Sequence, residues 1–166
     1  MTRSHPALRS LPCAVAILAA TACRPAQPQP MTSAEAQVIG DSVIALERAT
    51  NLAVDRLDCA AAFINVAADE PAFVSGGHVV RTQAAFRRAC DAIVAPRTGA
   101  VFATDTVTAH TLGRDAAFVV REGVYTVNMK DGSTRRSRLV MTSIWARKEG
   151  VWKMVHLHES SPATAP

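Results

Sequence analysis

His156 and His158 stand two residues apart near the end of the chain. On a strand, that spacing turns both imidazoles to one face and offers two metal ligands. A metal site needs a third ligand, and none is evident, so no metal is expected. Carboxylates that could act as general base are Asp69, Glu70, Asp105 and Glu159. Asp69 and Glu70 precede Pro71 and read as an exposed turn. Asp105 shares a strand face with Ala103 and Val107, so it could be a pocket carboxylate, or point outward if a bulge intervenes. Tyr125 can donate a proton, and it shares a strand face with Arg121 and Gly123. Cys59 and Cys90 lie in apolar helical text; they form one disulfide in an oxidising compartment or stand as two small buried hydrophobes. His78 and His110 are isolated. No nucleophile elbow, phosphate-cradling glycine loop or zinc-type spacing occurs, and no cofactor is expected.

The elements that must carry these groups follow from period and capping. Residues 1–22 have a basic start, Arg3 and Arg9, and an apolar run from Leu11 to Ala22. That run suits a signal segment and is too short to span a bilayer. It ends Ala20-Thr21-Ala22-Cys23, which reads either as a lipobox that leaves a lipidated Cys23 or as a simple secretory cleavage site. The proline-rich stretch that follows, residues 23–31, suits a tether and favours the lipoprotein reading. The expected location is a bacterial envelope, lipid-anchored and facing the periplasm or outside, with secretion as the alternative.

The domain runs from Thr32 to Ser160, and residues 161–166 form a polar tail. Thr32 and Glu35 make a capping box for a long helix with Ile39, Val43, Leu46, Thr50, Ala53 and Leu57 on one face. Asp58 caps a short second helix from Cys59 to about Val66. Ala72–Val80 reads as a small hairpin turning at Gly76 and Gly77. Thr82 caps a third helix that closes at Pro96. From Gly99 the period changes to two. Four strands follow as an antiparallel meander: Val101–Thr111, Ala116–Asn128, Leu139–Arg147 and Val151–Ser160. Three helices with a hairpin inserted, then four strands, predict an α+β domain.

The formal charge is +4. Arg3 and Arg9 belong to the N-terminal segment, so the excess elsewhere is small. Arg135, Arg136 and Arg138 form one cluster that reads as a solvated strand end, and no nucleic-acid partner is expected.

The closing text Trp145 to Trp152, the turn at Gly150, and Val155-His156-Leu157-His158-Glu159-Ser160 resemble the nuclear transport factor 2-like superfamily. Within it they resemble the SnoaL-like branch and are similar to the association domain of calcium/calmodulin-dependent kinase II. Leu112-Gly113, Ala116 to Arg121, Tyr125 and Phe73 to Gly77 fit the same pattern. The resemblance implies a cone: three N-terminal helices packed on a strongly curved, mainly antiparallel sheet, with a pocket between them. Members commonly dimerise. Isomerases and cyclases, transporters and assembly domains share the fold, so fold alone leaves function open.

In the kinase association domain, arginines on three strands can hold a small carboxylate; the corresponding positions here are Arg121, Ser143 and Glu159. A three-residue loop, Lys148-Glu149-Gly150, would pair Arg147 with Val151, Ser143 with Val155 and Leu139 with Glu159. That register puts Ser143, Trp145, Leu157 and Glu159 on the pocket face with Arg121. It puts Ile144, Trp152, Met154, His156 and His158 on the outer face, which is then the expected homodimer surface. Arg121 and Glu159 either pair across the pocket, which satisfies a buried arginine without a ligand, or hold a ligand between them. An isomerase-like relative needs a carboxylate on the early hairpin, where this chain has Ser75. The expected function is therefore an envelope-tethered pocket domain for a small, partly apolar ligand at Arg121, Tyr125, Ser143, Trp145 and Glu159. The alternatives are an isomerase- or cyclase-type enzyme using Asp105 or Glu159 with Tyr125, and a non-catalytic assembly module.

Overall fold

The computed structural model describes residues 29–69 and 71–162. The expected signal segment, Cys23, most of the expected tether, Glu70 and the end of the tail lie outside these residues. Among the described residues no helix is long and apolar enough to cross a membrane.

Helix α1 spans Ser33–Asp55, and its capping box is present: Thr32 accepts from the Glu35 amide while Glu35 accepts from the Thr32 amide at 2.7 Å. Its buried stripe is Ile39, Gly40, Val43, Glu47, Thr50 and Ala53. A carboxylate thus sits where a helix of this pattern ordinarily carries an apolar side chain. Helix α2 is a single turn, Cys59–Ala62, capped by Asp58 and shorter than its apolar text suggests. The chain leaves it early because Val66 bridges to Met154, and Met154 also accepts from the Ala67 amide at 2.9 Å. Helix α3 spans Gln83–Val94 with Thr82 as its cap. The Cys59 and Cys90 sulfurs are bonded, with Cα atoms 5.8 Å apart, and this disulfide ties α2 to α3.

Six strands form one sheet: β1 (Ala72–Ser75), β2 (His78–Val80), β3 (Arg97–Gly113), β4 (Ala116–Met129), β5 (Thr134–Lys148) and β6 (Val151–Ser160). Their order is β2-β1-β6-β5-β4-β3. The long strands make the antiparallel meander, while β1 joins β6 in parallel, with Phe73 beside Leu157. Strand β3 breaks register in three places, after Arg97, Thr104 and Thr111. Such bulges add bend and twist, and they curve the sheet around α1. Gly123 permits the tightest part of the bend. A Cβ there would lie 2.3 Å from the Ala103 carbonyl oxygen and 2.7 Å from the Phe102 ring, so only glycine lets Phe102 fold over β4. The core beneath includes Val43, Phe86, Val119 and Trp145, all essentially inaccessible.

The last hairpin corrects the expected register. Its turn has two central residues, not three: Lys148 pairs with Val151, and Glu149 and Gly150 both adopt left-handed backbone, φ 52° and 80°. That is the primed turn whose twist matches paired strands. Asn or Gly ordinarily fills its first position, and glutamate hid it. Arg147 therefore pairs with Trp152, and Trp145 with Met154. A bulge at Val155 then restores the opposite parity, because Ile144 pairs with His156. Two one-residue shifts change the surfaces. Ser143 opposes Leu157 and Met141 opposes Glu159, so Ser143 and Glu159 do share the inner face, by a different route from the expected one. Trp152 and Met154 are buried with Trp145 and cannot form an outer dimer surface with His156 and His158.

Candidate functional site

Between α1, α3 and the concave side of the sheet lies a cavity of about 370 Å³. Its walls are mainly apolar and aromatic. Phe86 of α3 meets Phe63 at 5.6 Å and Phe73 of β1 at 5.3 Å, which closes one side. Cys90 of α3 lines the same wall, so the disulfide fastens it. Polar side chains from the long strands converge on this space: Arg97 from β3, Arg121 and Tyr125 from β4, and Glu159 from β6. Alternation along β4 and β6 carries the last three inward.

Arg121 is only 7% exposed. Its guanidinium lies over the Phe102 ring, 4.6 Å from the centroid, and its Nη2 approaches the Met141 sulfur at 3.3 Å. No protein acceptor among the described residues meets its Nε or Nη1. Burial lowers its pKa, and the negative charges of Glu47, Asp55 and Glu159 oppose that effect. A buried N–H without a partner costs about 1–3 kcal/mol, more when charged. Of the two alternatives for Arg121 and Glu159, the direct ion pair does not form. Both line the cavity, and no side-chain or backbone donor among the described residues meets the Glu159 carboxyl.

Burial pushes the Glu159 carboxyl above its usual range, resisted by Arg97 and Arg121. Tyr125 accepts a hydrogen bond from Arg97 Nη1 at 2.6 Å, and burial raises the phenol's pKa and keeps it neutral. Its own O–H is then left to donate.

Ser143 and Trp145 do not reach the cavity. They lie beneath it, and both donate to Glu47: the Ser143 hydroxyl, and Trp145 Nε1 at 2.9 Å. Glu47 is 3% exposed and lines a second, smaller cleft that Arg121 also borders. Asp105 sits at the middle bulge of β3, half exposed, and pairs with Arg138 at 2.9 Å. It faces the smaller cleft and not the cavity, so it is not a pocket base. Asp69 is exposed and pairs with Lys148 at 3.6 Å. His110 stacks on Phe118 at 4.7 Å, while His78 and Ser75 line the cavity's hairpin side. Among the described residues no group of three His, Cys, Asp or Glu is placed to hold a metal.

Three participants were not singled out from sequence. Glu47 lies four residues after Val43 and three before Thr50, so the stripe itself marked it. Asp55 accepts from the Phe102 amide at 2.9 Å, and burial raises its pKa. Arg97 follows Pro96 directly and read as a link, whereas it is the first residue of β3.

The SnoaL-like domain model matches residues 43–164, and the chain belongs to that family. No curated protein matches it in sequence. Solved structures of the same fold include a nuclear transport factor 2-like superfamily protein from Salmonella enterica serovar Typhimurium. It is 17% identical, with 76% of this chain and 92% of that one covered, at TM-score 0.68. A hexachlorocyclohexane dehydrochlorinase from Novosphingobium barchaimii is 14% identical over 76% and 88%, at TM-score 0.66. The association domain of CaMKII from C. elegans is 16% identical over 72% and 93%, at TM-score 0.58. At these identities the likeness is one of fold, and the chain's own residues carry the functional argument.

Proposed function

We propose that this chain is an envelope-tethered SnoaL-like domain that binds a small, partly apolar molecule, with Arg121 as the polar anchor. The observation that carries the reading is Arg121 itself: buried, charged, bordering a mainly apolar cavity, and short of acceptors on two nitrogens. Specific polar groups in an apolar pocket fix a ligand's orientation while the walls supply most of the affinity. Tyr125, braced by Arg97, adds a donor on the same strand, and Glu159 adds a carboxyl. Ser143 and Trp145 support the floor through Glu47 and are not contacts. The lipobox-like text at Cys23 and the proline-rich tether support anchoring at a bacterial envelope.

A thermal-shift screen of small apolar compounds on the purified chain from residue 23 tests the site. Compounds that raise the wild-type Tm should lose most of that effect on Arg121→Met, which keeps bulk and removes the donors. Equal shifts on both proteins would remove Arg121 from the site.

A second reading rests on Glu159. A carboxyl with a raised pKa, in a cavity that also presents the Tyr125 hydroxyl, has the parts for proton transfer of the isomerase or dehydratase kind. The fold also serves in an association domain, which supports a homodimer as part of the proposal. A monomer by sedimentation at micromolar concentration would end that part.

A further inference from the structure

Arg121 lacks hydrogen-bond acceptors, but it does not lack negative charge. Glu47, Asp55 and Glu159 all act on it electrostatically, yet none accepts a hydrogen bond from it. Glu47 Oε1 is taken by Ser143 and Trp145, and Asp55 Oδ1 by the Phe102 amide. Three carboxylates therefore already offset the charge of Arg121 before any ligand enters, and among the described residues Glu159 is the one of them that lines the cavity. Tyr125 gives a second donor, since its oxygen already accepts from Arg97.

From this balance we infer that the cavity selects molecules whose polar head is an uncharged acceptor, a carbonyl-type oxygen, over carboxylates, and that Glu159 is the group that discriminates. The inference rests on the ligand-pocket reading above. A carbonyl oxygen accepts from Arg121 and Tyr125 without adding charge. A carboxylate accepts equally well but places a second negative charge in a poorly solvated space beside Glu159. Like charges so placed repel, and the carboxylate enters only when Glu159 takes up a proton. The charged and titratable groups that share the cavity with Glu159 are Arg97 and Arg121, which favour its charge, with Tyr125 on β4 and His78 on β2. Burial raises the pKa of Glu159, the direction that eases proton uptake.

Naphthyl methyl ketone and the matching naphthoate share one ring system and differ at the head, so calorimetric titration of both is a direct test. At about pH 8 the ketone should bind roughly tenfold tighter than naphthoate. As the pH falls from about 8 towards about 5 naphthoate stays largely ionised, and its affinity should rise several-fold as Glu159 takes up a proton, with ketone affinity unchanged. Glu159→Gln, checked for folding by circular dichroism, should abolish the handicap of naphthoate and its pH dependence. Tighter naphthoate than ketone in the wild type at about pH 8 would overturn the selectivity and leave the pocket reading standing. An equal effect of Glu159→Gln on both compounds would remove Glu159 as discriminator. Failure of both to bind, with thermal-shift hits indifferent to Arg121→Met, would overturn the pocket reading and this inference with it.

Discussion

Glu47 holds the polar interior together. It accepts from Ser143 and Trp145 on β5 and is the first of the carboxylates that offset the charge of Arg121. Replacing it with alanine strands two buried donors and a buried cation at once. Glu47→Ala should lower unfolding stability by about 3–5 kcal/mol, as breaking a buried charge network does. Glu47→Gln keeps an acceptor and should cost about half as much. Urea unfolding of both variants measures this, and equal losses would mean that the carboxylate's charge, not its acceptor oxygens, is what matters. At this scale the sequence shows Arg121, Tyr125 and Glu159, because strand alternation assigns them a face. The helical stripe marks the position of Glu47, but its residue type points the other way, because a glutamate on a helix is ordinarily solvated. The donors that bury it arrive on a strand almost a hundred residues later. Arg97 escapes notice for a simpler reason: a residue after proline reads as a connection.

At the scale of elements, the caps at Thr32, Asp58 and Thr82 and the order of the four long strands are readable from the chain, because each depends on neighbours within a few residues. The final hairpin is not. Glu149 occupies a left-handed position that sequence rules assign to Asn or Gly, and the bulge at Val155 has no local sign. Together they move Trp152 and Met154 from the expected outer face into the core and leave His156 and His158 on the outside. The β1–β6 parallel pairing joins segments about eighty residues apart, which local pattern cannot express. The helical wall of the cavity depends on the Cys59–Cys90 disulfide, which closes a loop of 31 residues. The double variant Cys59→Ala/Cys90→Ala should lose about 3–4 kcal/mol by the loop-entropy relation. Thermal unfolding under non-reducing conditions would show it, and an unchanged Tm would mean that α3 is held by Phe86 and its aromatic partners alone.

For the molecule as a whole, curvature and chemistry have one origin. The bulges of β3 and the missing side chain at Gly123 bend the sheet until Phe102 closes over β4. That closure encloses the cavity and places an aromatic ring under the Arg121 guanidinium. The α+β class and the cone follow from the order of elements, and the cavity follows from the cone. What fills it depends on a handful of polar groups whose partners are set in three dimensions. A crystal structure of the chain purified from its native host cells tests the central claim most directly. The account predicts density for a small organic molecule in the cavity, with an acceptor atom within hydrogen-bond distance of Arg121 Nε or Nη1. A cavity closed by a direct Arg121–Glu159 ion pair, with no space left between them, would contradict it.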